Sequence, residues 1–242
     1  MSHEFRTPLA SIINYADLAA DDDADENTVE KSIETISRSA QHLNSLVEAV
    51  LDDASLDAGQ LELAEQDFDI YELLDDLAAM MAPLAAEKGL SFATTVDPDL
   101  PRIIHADEIR LRQILINLLG NAVKFTMQGG VNLMATYNDA RLIVTVSDTG
   151  PGISLENQEK VFQAFERGSS KDKPGAGLGL TISLRLVELM QGEVSLDSMP
   201  GEGCTVSIHV PVGRAAGAPT DTAELFPIPD SATIAAVPKS VL

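Results

Sequence analysis

The stretch LRQILINLLGNAVKFT, residues 111–126, places apolar and polar residues on two different faces of one predicted helix. The apolar face has helical spacing and predicts a side that packs into a core; its members are Leu111, Ile114, Leu115, Leu118, Leu119 and Ala122. Gln113, Asn117, Asn121 and Lys124 form a polar stripe elsewhere on the helix. Asparagine is a poor helix former, so two of them one turn apart need a reason. A site for Mg²⁺ and phosphate would supply one, and a polar surface that happens to use asparagine explains the stripe equally well.

Strands and helices come in blocks on both sides of this helix, which spans about residues 107–126. The other predicted elements are a strand near QLELAE (60–65), a helix through 70–84, a strand near LSFATTV (90–96), a strand pair at 129–138 and 141–147 joined by an Asn-Asp turn, a short helix near 156–162, a helix near 178–191, and a strand pair at 193–198 and 204–210. Blocks of this kind favour an α+β sandwich, with helices layered on one face of a mixed sheet.

Two helices with apolar seams are predicted before this block. Their seam residues are Phe5, Leu9, Ile12, Ala16 and Ala19, and then Val29, Ile33, Ile36, Ala40, Leu43, Val47, Val50 and Ala54. The polar stretch DDDADEN, residues 21–27, joins them into a helical hairpin, and Gly59 is expected to end the second helix. Because a lone hairpin leaves half of its seam in water, we expect it to pair with a second copy into a four-helix bundle.

Domain boundaries follow from these changes in hydrophobic pattern and composition. We expect a helical hairpin at 1–58, a connector at 59–66, a sandwich domain at 67–213 and an Ala/Pro-rich linker or tail at 214–242. The net charge of −22 disfavours nucleic acid and anionic membranes as partners, and the single cysteine, Cys204, excludes an internal disulfide and suits a reducing cytoplasm. A cytoplasmic location is therefore expected, with no membrane contact by this stretch of chain.

The motif DTGPGI, residues 148–153, stands where a buried strand runs into a turn. Asp148 can accept a hydrogen bond from an exocyclic amine such as that of adenine, and Gly150 and Gly152 let the backbone approach a flat ligand. The same residues also make a good plain turn, so the motif alone leaves both readings open.

The motif GAGLGL, residues 175–180, precedes an apolar helix. Glycines that lead into a helix N-terminus free backbone N–H groups to bind phosphate. The preceding loop carries Arg167, Lys171 and Lys173 in an otherwise acidic chain, which points to an anionic ligand, although a solvated loop is the alternative.

His3 lies in the opening stretch MSHEFRTPL, followed by Glu4, Thr7 and Pro8. A neutral imidazole keeps a lone pair on one ring nitrogen that can attack phosphorus, provided that the other nitrogen gives up its proton. Glu4 is the adjacent carboxylate in the sequence, and Pro8 is expected to bend the helix because it cannot donate to the carbonyl of Glu4.

Taken in order, SHEFRTPL, NLLGNAVKFT, DTGPGI, VFQAFERG and GAGLGL resemble the H, N, G1, F and G2 boxes of the sensor histidine kinases of bacterial two-component systems. The resemblance runs from about Ser2 to Pro211. It implies a dimerisation and phosphoacceptor hairpin followed by a catalytic ATP-binding domain. In that family the first helix normally begins well upstream of its histidine, so an excised fragment is expected.

The resemblance also implies roles for individual residues. His3 would be the phosphoacceptor, Glu4 its base and Thr7 the residue that places water in relatives with phosphatase activity; Asn121 would ligate Mg²⁺. The expected ATP-binding residues are Asn117, Asn121, Lys124, Phe125, Asp148, Gly150, Gly152, Arg167, Gly175, Gly177, Leu178 and Gly179. The implied activity is autophosphorylation from ATP and transfer to an aspartate of a response-regulator receiver domain by a homodimer.

Several alternatives stay open at this stage. The chain could be a dimeric scaffold that binds ATP or a phosphatase toward its response regulator, and a free-standing ATPase of the gyrase type is a third reading that the H box disfavours. The tail leads to a receiver domain, as in a hybrid kinase, or it is a simple terminal tail. The sequence leaves open the stimulus, the partner, transfer within or between subunits, and whether the parent chain is membrane-anchored.

Overall fold

The computed structural model describes residues 2–21, 25–58, 61–158 and 179–214. It begins with a hairpin of two helices, α1 (Ser2–Ala19) and α2 (Glu26–Asp57). Asp25 caps α2 by accepting a hydrogen bond from Thr28 N at 2.7 Å. Helix α1 continues without interruption through Pro8, whose side chain is buried. The helical hairpin predicted from the sequence is thus confirmed, whereas Gly59 lies outside the described residues and α2 ends at Asp57 with Ala58 as its cap.

The predicted seam of α2 divides between two faces of the hairpin. Val29, Ile36, Leu43 and Val50 are partly buried, and the same face carries Ser32, Ser39 and the buried Leu46; Ser39 Oγ donates to Ser11 Oγ of α1 at 3.2 Å. Ile33 and Val47 belong to the other face and are 58% and 42% exposed. Part of the predicted seam therefore packs on α1 and part is exposed in a single copy of the chain.

The remaining elements form two sheets and their covering helices. They are β1 (Gln66–Asp69), α3 (Ile70–Glu87), β2 (Ser91–Val96), β3 (Ile103–Ala106), α4 (Glu108–Phe125), β4 (Gly130–Asn138), β5 (Arg141–Asp148), α5 (Leu155–Gln158), α6 (Gly179–Leu189), β6 (Glu193–Met199), β7 (Gly203–Pro211) and β8 (Gly213–Arg214). The larger sheet has the order β2-β4-β5-β7-β6, in which only β2 and β4 are parallel, and the smaller has the order β1-β3-β8.

Helices α3, α4 and α6 pack on one face of the larger sheet. In β5 the alternate residues Leu142, Val144 and Val146 are buried, while the residues between them are partly exposed, as expected of a sheet covered on one side. The buried positions of α4 are Leu111, Ile114, Leu115, Leu118, Leu119, Ala122 and Val123, each large one contributing about 1.5–3 kcal/mol on burial. The α+β sandwich is confirmed. Among the helices in the described part of the chain, none is long and apolar enough to cross a membrane.

Three details near the start and middle of this domain differ from the sequence prediction. The strand expected at QLELAE is wrong: the strand is β1, at Gln66–Asp69, because its partner β3 pairs Gln66 with Ala106. Ala64 N donates instead to Asp107 Oδ2 at 2.8 Å. Strands β3 and β8 were not predicted. The turn between β4 and β5 has positive φ at Asp139 (49°) and Ala140 (60°), one residue later than expected.

Candidate functional site

Helix α4 lines a cleft of about 500 Å³ with its polar stripe. The helix begins because Asp107 caps it, accepting a hydrogen bond from Arg110 N at 3.0 Å, and its apolar side is held in the core. The lining residues are Ile109, Arg112, Gln113, Ile116, Asn117, Gly120, Asn121 and Lys124. The four polar residues that the sequence placed on one stripe therefore share one cleft.

The two asparagines are oriented by a chain of hydrogen bonds. Asn117 Nδ2 donates to Ser183 Oγ of α6 at 2.8 Å, and Asn121 Nδ2 donates to Asn117 Oδ1 at 3.4 Å. Both amide nitrogens thus have partners in the protein. The amide oxygen of Asn121 is consequently the atom of that side chain suited to ligating a cation.

Gly179 brings the start of α6 against the same stripe. A Cβ at this position would overlap Oδ1 and crowd Cγ of Asn117, so a larger residue here would displace the Asn117 side chain. The last glycine of GAGLGL and the first asparagine of NLLGNAVKFT are therefore in contact.

The C-terminal end of α4 is held by Lys88. Lys88 Nζ donates to the carbonyl oxygens of Val123 at 2.8 Å and Lys124 at 3.0 Å, which satisfies groups that the helix itself leaves unpaired. Lys124 Nζ lies 5.1 Å from the centroid of the Phe125 ring, a cation–π contact. Lys124 and Phe125 thus sit together at the end of the cleft.

Residues 148–153, which we call the Asp148 loop, run past this end of α4. Asp148 is the last residue of β5, and its Oδ1 accepts a hydrogen bond from Gly150 N at 2.7 Å. A Cβ at Gly150 would lie 3.6 Å from the carbonyl oxygen of Phe125. The loop and α4 therefore meet at Gly150 and Phe125.

The path of the backbone in the Asp148 loop requires a glycine at position 152. Its φ is +67°, and a Cβ there would overlap the carbonyl oxygen of Met199 in β6. The loop lies directly on the β6–β7 turn as a result, and Gly201 N donates to Pro151 O at 2.8 Å across this contact.

Burial raises the pKa of Asp148 above its ordinary value of 3.8, and hydrogen bonds with Gly150 N–H, the Thr126 hydroxyl and Cys204 N–H partly offset that rise. Burial also raises the pKa of Cys204, the residue opposite Asp148 in the sheet, to about 11, with the charge of Asp148 adding to the effect. The thiol is therefore neutral at physiological pH.

Comparisons with known proteins agree on the nature of both halves of the chain. The His Kinase A (phospho-acceptor) domain family matches residues 1–59, and the Histidine kinase-, DNA gyrase B-, and HSP90-like ATPase family matches residues 106–214. The sensor protein GacS of Pseudomonas syringae pv. syringae is 38% identical over 224 residues, covering 88% of this chain and 25% of its own length. The chain belongs to the histidine kinases. Relatives of this histidine kinase also include the autoinducer 2 sensor kinase/phosphatase LuxQ of Vibrio vulnificus (strain YJ016), 35% identical over 223 residues, covering 88% of this chain and 26% of LuxQ.

A solved structure of a relative supports the same assignment at the level of the fold. Full-length ShkA in complex with AMPPNP is 41% identical and superposes with a TM-score of 0.71, covering 89% of this histidine kinase and 45% of ShkA. The chain spans about a quarter of the length of the curated relatives it matches.

Some of the expected site residues of this histidine kinase lie outside the described residues. These are Arg167, Gly175, Gly177 and Leu178. His3 and Glu4 lie in α1, but the positions of their side chains are not described; Thr7, further along the same helix, is exposed. Of the described residues, Asn117, Asn121, Lys124 and Phe125 lie on α4. Gly179 contacts Asn117, Gly150 lies near Phe125 and Asp148 bonds with Thr126 at the end of that helix, whereas Gly152 packs on β6.

Sequence reasoning missed residues that shape the Asp148 loop from outside it. Thr126 is fully buried and bonds with Asp148; Ser198 in β6 accepts a hydrogen bond from Ile153 N at 2.9 Å; Gln158 in α5 donates to two backbone carbonyls. The one available signal was Thr126, which directly follows the asparagine stripe. Ser198 and Gln158 act on backbone atoms, and their residue types carry no pattern that reveals such contacts.

Proposed function

We propose that this chain is an ATP-dependent, autophosphorylating protein-histidine kinase that passes its phosphoryl group to an aspartate of a response-regulator receiver domain. The observation that carries the proposal is the contact of Gly179 with Asn117 of α4, together with the hydrogen bond of Asp148 with Thr126 at the C-terminal cap of α4, in a chain whose first helix contains His3. We propose the domain boundaries given above, 1–58, 59–66, 67–213 and 214–242, as its functional division, and a cytoplasmic location.

The base of ATP is assigned to the Asp148 end of the site. Asp148 would accept a hydrogen bond from the exocyclic amine of adenine, and guanine has no amine at that position. The backbone of Gly150 and Gly152 forms the wall beside it. This assignment is supported by the partial burial of Asp148 and by the hydrogen bond from Gly150 N, which fixes the direction of the carboxylate.

The phosphates are assigned to Asn117, Asn121, Lys124 and the start of α6. Within the described residues there is no group of three or more His, Cys, Asp or Glu side chains that could hold a metal ion by themselves. A single amide oxygen, that of Asn121, fits Mg²⁺, which keeps several waters and takes other ligands from substrate phosphates. When bound, Mg²⁺ would neutralise phosphate charge, which is needed in a chain of net charge −22.

His3 is the proposed acceptor of the γ-phosphoryl group. One ring nitrogen attacks the γ-phosphorus, the bond from that phosphorus to the bridging oxygen breaks, and ADP leaves with the electron pair. Glu4 takes the proton from the other ring nitrogen. Lys124 and the N–H groups at the start of α6 offset the charge on the phosphates.

We propose a homodimer in which the exposed apolar face of the hairpin is covered by a second copy. Leu9, Ile13, Ile33, Val47 and Leu51 are all between 42% and 61% exposed, an arrangement that a four-helix bundle would bury. The receiver domain would dock near His3.

A second candidate activity is removal of phosphate from the response regulator. The name of the relative LuxQ, a sensor kinase/phosphatase, favours it, together with the exposed Thr7 four residues after His3. Both activities would use the same helix.

Incubation with labelled ATP and Mg²⁺ tests the proposal. We expect acid-labile, base-stable label on His3, located by mass spectrometry, and its transfer to a receiver domain. Steady ATP hydrolysis without phosphohistidine would instead mean a free-standing ATPase, and nucleotide binding without label would mean a scaffold.

The Asp148→Asn variant is expected to be more stable than the wild type at neutral pH and to bind nucleotide poorly. Because burial raises the pKa of Asp148, its ionised form costs folding free energy at neutral pH, and that cost is lost as the pH falls through the raised pKa toward 3.8. The stability gain of the variant should therefore shrink as the pH is lowered. ADP affinity should fall at least about tenfold, because a hydrogen bond to a charged acceptor is lost.

Thermal melts with and without ADP measure both effects. Asp197→Asn is the matched control, since Asp197 is exposed on β6 and the same charge is removed there. Equal ADP affinity in Asp148→Asn and wild type would contradict the assignment of the base to this end of the site.

A further inference from the structure

Ile153, the last residue of the Asp148 loop, has both of its backbone polar groups bound by side chains. Its N–H donates to Ser198 Oγ at 2.9 Å, and its carbonyl oxygen accepts from Gln158 Nε2 at 3.1 Å. Gln158 Nε2 also donates to the carbonyl oxygen of Ser198 at 2.7 Å. These bonds close a ring through Ile153, Ser198 and Gln158, so the end of the loop is fixed to β6.

Ser198 extends this ring toward the other end of the loop. Its hydroxyl donates to the carbonyl oxygen of Gly203 at 2.7 Å, and its side chain is almost entirely buried. Gly203 packs against the backbone carbonyl of Asp148, close enough that a Cβ would overlap it. One buried hydroxyl thus bonds to Ile153 and to the residue that supports Asp148.

We propose that Ser198 and Gln158 are positioning residues for nucleotide binding, which hold the Asp148 loop in the shape that receives the base. The proposal rests on the proposed function, because it assigns a task only if the loop binds adenine. Neither side chain lines the cleft. They act by preorganisation: a loop already held in its binding shape loses less conformational entropy when the ligand arrives.

The position of Gln158 requires a donor. Both partners of its Nε2 are carbonyl oxygens, so an amide nitrogen fits there and a carboxylate oxygen would face two acceptors. Gln158→Glu keeps the size and shape of the side chain while removing the donor, and Gln158→Ala removes the contact altogether. Both should release the carbonyl of Ile153.

Calorimetric titration with ADP and Mg²⁺ tests the proposal on the whole chain. We expect Gln158→Glu and Gln158→Ala to weaken ADP binding about three- to tenfold. In autophosphorylation, KM for ATP should rise by a similar factor with kcat at saturation unchanged.

Asn157→Ala is the matched control: Asn157 is the neighbouring residue in α5 and bonds to Ser154 Oγ, not to Ile153 or Ser198, so wild-type affinity is expected. Ser198→Ala should weaken ADP binding like the Gln158 variants, and Ser198→Thr, which keeps the hydroxyl, should restore it.

The outcomes separate the proposal from the function on which it rests. Wild-type ADP affinity in Gln158→Glu and Gln158→Ala would overturn the positioning role alone, as would an equal loss in Asn157→Ala. A fall in kcat with KM unchanged would also overturn it. If the wild-type chain itself bound no adenine nucleotide, the proposed function would fail and the positioning role with it.

Discussion

His3→Gln is expected to lose all acid-labile phosphate while it continues to bind ADP. Glutamine fills a similar volume and can hydrogen-bond, but its amide nitrogen has no lone pair available to attack phosphorus. Label from ATP should therefore fall by at least about 10³-fold, to background, as expected when a nucleophile is removed. ADP affinity should stay within about twofold of wild type, since the residues assigned to ADP are on α4, α6 and the Asp148 loop.

Scintillation counting of acid- and base-treated protein, together with ADP titration, measures both quantities. His105→Gln is the matched control: His105 is a histidine of the small sheet whose Nδ1 lies 2.7 Å from Asp67 Oδ1, and its replacement should leave labelling intact. Stable label on His3→Gln would mean that another residue accepts the phosphoryl group. Loss of ADP binding would mean that His3 contributes to the nucleotide site.

The parts of the fold that the sequence predicted well are those in which one helix or strand carries its own signal. Helix α4 is an example, because its apolar face and its polar stripe each repeat at helical spacing within eighteen residues. Strand β5 alternates buried and partly exposed residues from Arg141 to Ser147. In both elements the local pattern and the tertiary environment agree.

The missed parts depend on contacts between distant residues. Strand β3 has four residues and β8 has two, too few to show alternation, and each is a strand only because it pairs with a neighbour. Which seam residues of α2 face α1 also depends on contacts with a distant part of the chain. Its residues Ile33 and Val47 are as apolar as the buried Leu46, so the pattern could not separate the face that packs on α1 from the face that lies exposed.

The candidate site shows the same difference between residues that a local motif reveals and residues that act through distant contacts. The motifs name the residues proposed to contact a nucleotide, and that role stays a prediction. The structure brings Asn117 and Gly179 into contact, an arrangement that no spacing in the chain predicts. The residues that hold the Asp148 loop were invisible, since Ser198 and Gln158 bond to main-chain atoms forty-five and five residues away from them. Motifs in the sequence can therefore propose residues that face a ligand, whereas residues that bond to the main chain of a loop become visible only in the structure.

Asn121→Asp is expected to give a folded protein that cannot label His3. The substitution is isosteric, so the buried face of α4 should stay intact. It has two effects on the cleft: the donor to Asn117 Oδ1 is lost, and a negative charge is placed where the phosphates are expected, in a chain that already carries −22. Labelling should fall by about 10²–10³-fold. Asn121→Ala, which removes the amide without adding charge, should lose labelling as well but bind ADP better than Asn121→Asp in the absence of Mg²⁺.

The control for the added charge is Asn138→Asp. Asn138 is exposed at the end of β4 and pairs with Arg141, the first residue of β5. Asp148 is the last residue of β5, about 24 Å from Arg141 at ~3.4 Å per residue. If charge on the chain as a whole mattered most, Asn138→Asp would lose labelling too; if the local charge beside the phosphates matters, only Asn121→Asp does.

The remaining comparison tests whether Asn121 ligates Mg²⁺. Labelling by Asn121→Ala at the wild-type rate and the wild-type Mg²⁺ concentration would contradict ligation through the Asn121 oxygen, because Asn121→Ala removes that oxygen, whereas Asn121→Asp keeps it and replaces only the amide nitrogen.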